Sequence, residues 1–151
     1  MKEYKPNKTK KAFTLIEVLV VIALIGFLAA ITIIAINPAK NFQDARNTQR
    51  RSDVTQILNA VTQYTSQSGN LIGDFGTIPN CTTDVLIIGT TVDPDYIDLS
   101  TLLVPTYVVG IPKDPTGGTA ANTGYTICLA ASNRVTVAAP NAESATISVS
   151  R

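Results

Sequence analysis

"KKAFTLIEVLVVIALIGFLAAI", Lys10–Ile31, sets the frame for the rest of the chain. Two lysines precede Phe13, and an apolar run follows that holds a single acid, Glu17. From Val18 to Ile36 there are 19 residues without a charge, interrupted only by Gly26 and Thr32. About 18 or more apolar residues meet the length needed for a membrane-spanning helix. Thirteen of the 19 are Leu, Ile, Val or Phe. At about −0.3 to −0.6 kcal/mol each they favour insertion by roughly −4 to −8 kcal/mol. A carboxylate at mid-bilayer costs about 3 kcal/mol, and less at the edge where Glu17 falls. Insertion wins, so the sequence predicts an anchored chain and leaves Glu17 to be explained.

Charge and cysteine content extend that frame. The net charge of +1 hides an asymmetry. Lys2, Lys5, Lys8, Lys10 and Lys11 against Glu3 give residues 1–12 a charge of +4, leaving −3 for the remainder. A basic flank before an apolar run stays in the cytoplasm, which places the chain after Ile36 on the far side. Outside the reducing cytoplasm, Cys81 and Cys128 are expected to pair. The alternative is two buried thiols. Closing a loop of that length would stabilise the fold by roughly 4 kcal/mol in the chain-entropy model. There is no histidine and no CxxC, so zinc sites and Ser-His-Asp catalysis lack their residues. P-loop and dinucleotide fingerprints are absent as well, and nothing in the sequence reads as an enzyme or calls for a cofactor.

Four zones follow along the chain. Residues 1–12 are a polar leader and 13–36 the apolar segment. Residues 37–68 carry Val54, Ile57, Leu58, Val61 and Tyr64 at spacings that line one helix face. Arg46, Arg50, Arg51 and Asp53 read as the polar surroundings of that face. The neighbouring arginines of "TQRRSD" (Thr48–Asp53) could meet Asp44, Asp53 or anionic headgroups, but a solvated helix surface is the expectation. Pro38 predicts either a kink near Ile34–Pro38 or a fresh helix capped by Asn37 with Pro38 in its first turn. Residues 69–151 hold short β-type runs at 85–89, 106–111, 125–132, 134–139 and 145–150, separated by Pro, Asn and Gly turn signals. Three or four antiparallel strands are expected, with one face covering the apolar stripe of residues 37–68. The fold class is therefore α+β: a long N-terminal helix packed on a small antiparallel sheet.

Lys11–Ile31 closely resembles the signal of type IV pilins and type II secretion pseudopilins: a short basic leader, then Phe-Thr-Leu-Ile-Glu and an apolar helix. Phe13, Thr14, Leu15, Ile16 and Glu17 match in order, and Gly26 and Pro38 are similar to further family features. "VGIPKDP" (Val109–Pro115) before "GYTI" is like pseudopilins more loosely. Ala12 departs from the pattern, since the family leader normally ends in glycine. The resemblance implies a prepilin cut by prepilin peptidase between Ala12 and Phe13, with N-methylation of the new Phe13 amine. It implies a subunit of a pilus or pseudopilus that leaves the inner membrane for an extracytoplasmic filament. Its partners would be the peptidase/methyltransferase, other pilin or pseudopilin subunits, an assembly platform and, before assembly, the bilayer. Glu17 would pair with a neighbour's Phe13 amine and set register, because an unpaired charge in an apolar filament core costs several kcal/mol.

Two rival readings and one weak site complete the sequence-level picture. A singly anchored extracytoplasmic binding domain would keep Met1, whereas a secreted protein would lose everything to about Ile36. The second rival is disfavoured because the apolar run exceeds the usual 7–15 residues of a signal peptide. Asp93, Asp95 and Asp98 fall in one loop, "DPDYID", and could offer oxygens to calcium. A solvated acidic loop is the plainer expectation.

Overall fold

The computed structural model describes residues 12–151. The lysine-rich leader, residues 1–11, lies outside them. The chain divides into two compact units, Met1–Asn41 and Phe42–Arg151.

The first unit is built on helix α1, Leu15–Ile36. Thr14 has extended backbone, and its side chain accepts a hydrogen bond from the Glu17 amide at 3.3 Å. This satisfies one of the free donors of the first turn, as an N-cap does. Asn37 ends α1 in the left-handed region at φ 45°, a conformation that asparagine tolerates better than most residues. Its side chain also accepts from the Lys40 amide, and Asn41 Nδ2 donates to the Ile36 carbonyl at 3.1 Å. A second helix, α2, begins at Pro38, where a missing N–H costs nothing. Of the two sequence alternatives, the fresh capped helix is the one formed.

α2 runs from Pro38 to Thr65, and in the second unit its part from Phe42 onward lies against a five-stranded sheet. The strands are β1 (Leu86–Ile88), β2 (Tyr96–Ile97), β3 (Thr126–Leu129), β4 (Val135–Ala138) and β5 (Ser148–Ser150), in the order β2-β1-β3-β4-β5. All neighbours are antiparallel except β1 and β2, which pair in parallel through Ile87–Tyr96 and Ile88–Ile97. Val54, Ile57, Leu58, Val61 and Tyr64 are buried as their spacing predicts. They join Ile88, Leu99, Leu103, Tyr125, Ile127 and Val137 in one core. Tyr64 seals one end of that core, with its ring 4.8 Å from Phe75 and 5.6 Å from Tyr107. The architecture is α+β, a long helix on a mostly antiparallel sheet.

Two strand expectations need correction. Residues 106–111 form no strand. They follow the short helical turn α3, Ser100–Leu103, and the Tyr107 and Val108 amides donate back to the Leu103 carbonyl. Pro105 and Pro112 bracket the run, and neither can donate to a sheet ladder. Conversely, Tyr96–Ile97 is a strand inside the acidic stretch read as a loop. Two residues are too few to show a period, and the pairing with β1 alone makes them a strand.

Candidate assembly site

α1 has no buried residue. Phe13 is 82% exposed, Leu15 79% and Ile34 81%, and the exposed large side chains run around the helix on every face. A helix apolar all round needs an apolar environment, either lipid or other helices. Its 22 residues span about 33 Å, against about 30 Å for a bilayer core. By length and composition it can cross a membrane. Ala12 and Phe13 precede the helix in an exposed, irregular segment. Glu17 sits in the first turn, where a carboxylate is favoured by the helix dipole. The peptide between Ala12 and Phe13 and the Glu17 side chain are thus at the same open end of the helix.

The head supplies a second cluster that the sequence reading misplaced. Arg50 and Asp53 are not on a solvated surface: Arg50 is fully buried and Asp53 nearly so. Arg50 grips Asp114 through two bonds, Nε to Oδ2 at 2.7 Å and Nη2 to Oδ1 at 3.1 Å. It also donates to Thr116 Oγ1 at 2.9 Å, Asn47 Oδ1 at 3.1 Å and Glu143 Oε1 at 3.3 Å. Arg46 holds Glu143 through a second fork, at 2.5 and 2.6 Å. Asn47 closes the set by exchanging two bonds with the Glu143 backbone. Asp53 accepts from Gln49 at 2.7 Å and from the buried Tyr125 hydroxyl at 2.6 Å. These bonds tie α2 to the loops around Asp114 and Glu143. Arg51, the other arginine of the pair, stays exposed. A signal existed: Arg50 lies four residues before Val54 and seven before Ile57, in line with the buried stripe.

The electrostatics follow from those contacts. The Arg46 hydrogen bonds, helped by Arg50, hold the Glu143 carboxyl down at about 2 despite its partial burial. Burial pushes Asp114 up, but the bonds from Arg50 and Thr116 together outweigh it, and its carboxyl titrates below the usual range. Burial and the bond to Asp53 push the Tyr125 hydroxyl up, so it stays neutral. Among the described residues no buried side-chain nitrogen or oxygen lacks a partner. The cluster is fully occupied with itself, which suits a clamp better than a catalytic centre.

Cys81 and Cys128 are joined by a disulfide, which links the segment before β1 to β3. The acidic loop turns its carboxylates to local work: Asp93 Oδ1 accepts from the Asp95 amide, and Asp98 Oδ1 from the Ser100 amide and hydroxyl. Among the described residues, no three acidic, Cys or His side chains are gathered as a metal would need.

An exposed apolar helix with one acid in its first turn, carried before an α+β head, defines an anchored or assembling class of protein. Residues 7–36 match the family model described as the prokaryotic N-terminal methylation motif. The chain therefore carries the signature of type IV pilins and pseudopilins. No curated protein and no solved structure matches it.

Proposed function

We propose that this chain is a structural subunit of a type IV pilus or pseudopilus, made as a prepilin. Prepilin peptidase removes the leader between Ala12 and Phe13, and the Phe13 amine is methylated. Before assembly α1 anchors the subunit in the inner membrane with the leader in the cytoplasm and the head outside. The subunit then leaves the bilayer for a filament built with other pilin or pseudopilin subunits on an assembly platform. The observation that carries this reading is the methylation motif over residues 7–36 on a helix that exposes all of its apolar surface.

The physics of the exchange is simple. Lipid and a bundle of similar helices are both apolar, so transfer of α1 costs little hydrophobic free energy. A carboxylate at the edge of lipid can reach headgroups, but inside a bundle it needs a partner. Cleavage creates that partner by freeing a cationic amine four residues before Glu17. Glu17 of one subunit then pairs with Phe13 of its neighbour and rejects misplaced subunits.

Two measurements test the proposal. N-terminal sequencing of the mature protein should give methylated Phe13, and a mature chain that begins at Met1 would overturn it. Glu17→Ala should insert and be processed normally while filament yield falls to background. Wild-type yield from that variant would remove Glu17 from the assembly role.

A further inference from the structure

The segment before β1 carries a feature that the anchor, the core and the arginine clamp do not use. The pattern Asn-x-Ser/Thr, with x any residue but proline, occurs twice in the chain: Asn7-Lys8-Thr9 in the leader and Asn80-Cys81-Thr82 in the head. This is the pattern on which a glycan is attached to an asparagine side chain in exported proteins. In the head it lies on a surface turn. Thr82, Thr83 and Asp84 are exposed, and the Thr83 and Asp84 amides donate back to the Asn80 carbonyl at 2.9 and 3.0 Å. Asn80 Oδ1 accepts twice from Thr82, from its amide at 3.0 Å and from its hydroxyl at 2.9 Å. A backbone amide can only donate, so the side-chain oxygen of Asn80 must face Thr82 and the nitrogen must face away. Among the described residues that nitrogen donates to no protein group, and no buried side-chain nitrogen there lacks a partner, so Asn80 Nδ2 lies open to solvent. Asn47, Asn70 and Asn122 differ, since each spends its Nδ2 on an oxygen of the head.

We propose that Asn80 is an N-glycosylation site, modified by a membrane transferase that takes the glycan from a lipid-phosphate carrier. The inference rests on the reading above that places the head outside the cytoplasm and the leader inside it, where the Asn7 triplet would never meet such an enzyme. The bridge through Cys81, the middle residue of the pattern, agrees with that side, since disulfides persist where thiols are not kept reduced. An amide nitrogen is a poor nucleophile because its lone pair is shared with the carbonyl. The two bonds from Thr82 into Oδ1 polarise the amide and ease the loss of a proton from Nδ2. Nδ2 then attacks the anomeric carbon of the donor. The new N–C bond forms as the bond from that carbon to the phosphate oxygen breaks. The bonding pair leaves with the lipid phosphate, and one Nδ2 proton passes to a base of the transferase. No oxidation or reduction is involved. The hydroxyl two residues on is thus part of the site, and serine can supply it where alanine cannot.

Mass spectrometry of the native chain, purified from the cells that make it, tests the assignment. The peptide that holds Asn80 should carry the mass of a glycan, and fragmentation that spares the sugar bond should place it on Asn80. Asn80→Gln and Thr82→Ala should each lose that mass entirely, while Thr82→Ser keeps it. An intact Cys81–Cys128 bridge in the variants shows that the head has folded and that the loss is one of modification. A sugar on Thr82 with Asn80 bare overturns the proposal, and so does a glycan on Asn80 that survives Thr82→Ala. Bare Asn80 in the wild-type chain overturns it whatever the N-terminus. When that chain begins at methylated Phe13, the subunit reading still stands. A glycan on Asn80 of a mature chain that begins at Met1 gives the reverse: the site is upheld and the subunit reading falls.

Discussion

Arg50 shows how much one side chain can hold. Its guanidinium is withdrawn from water and spends its donors on Asp114, Thr116, Asn47 and Glu143. Removing one partner of such a pair leaves a buried charge without compensation, which costs about 3–5 kcal/mol. Arg50→Ala and Asp114→Ala should each lower the stability of the head by about that much in urea denaturation. The double change Arg50→Met with Asp114→Leu should recover most of the loss, because paired apolar residues are often no worse than the ion pair. A double variant as unstable as the two single losses added together would show that the site needs the charges for themselves. Gly124 belongs to the same neighbourhood. It has φ 80°, and a Cβ there would lie 2.7 Å from the Asp114 Cβ. Gly124→Ala should therefore destabilise by about 2–4 kcal/mol through the left-handed backbone and the overlap together.

At the scale of elements, the two helices divide the work. α1 is apolar on all sides and buries nothing in its own chain, whereas α2 has a buried face and a polar one. Losing α1 should therefore leave the head folded. A chain beginning at Phe42 should show a cooperative thermal transition close to that of the full chain in detergent. Loss of that transition would mean that the head depends on the first helix. The same division leaves the outward face of α2 free of the core. Thr55→Lys places a cation there without touching the core. It should leave head stability within about 0.5 kcal/mol in urea denaturation, as exposed substitutions do.

For the whole molecule, pH and redox state are the levers. Glu143 and Asp114 both titrate below their ordinary values of 4.5 and 3.8 in the folded head. Groups with lowered folded values contribute stability that is present above the unfolded value and lost as pH falls through the folded one. The head should thus hold a constant urea midpoint from neutral pH to about 4.5 and lose stability steadily toward pH 2. Glu143→Gln should flatten that slope, and an unchanged slope would exclude the Arg46–Glu143 fork as its source. Reduction of the Cys81–Cys128 bridge reopens a 47-residue separation, which corresponds to roughly 4 kcal/mol. A comparable fall in unfolding free energy under reducing conditions is the expected result.

The apolar helix, the methylation motif, the α+β class and the core stripe of α2 were all legible in the chain. They are local: an apolar run, a motif of contiguous residues and a period of 3.6 need no distant partner to be recognised. Arg50 and Asp53 were misread because polarity along one helix does not say what faces it. Asp114 is 64 residues away from Arg50, and Glu143 is 93 away. Tyr96–Ile97 is a strand solely because Ile87 and Ile88 lie beside it, and residues 106–111 fail as one because prolines bracket them and the Tyr107 and Val108 amides turn back to Leu103. Periodicity reports which side of an element is greasy. Which buried charge meets which, and which short run finds an edge to pair with, depends on contacts that exist only after the chain has closed on itself.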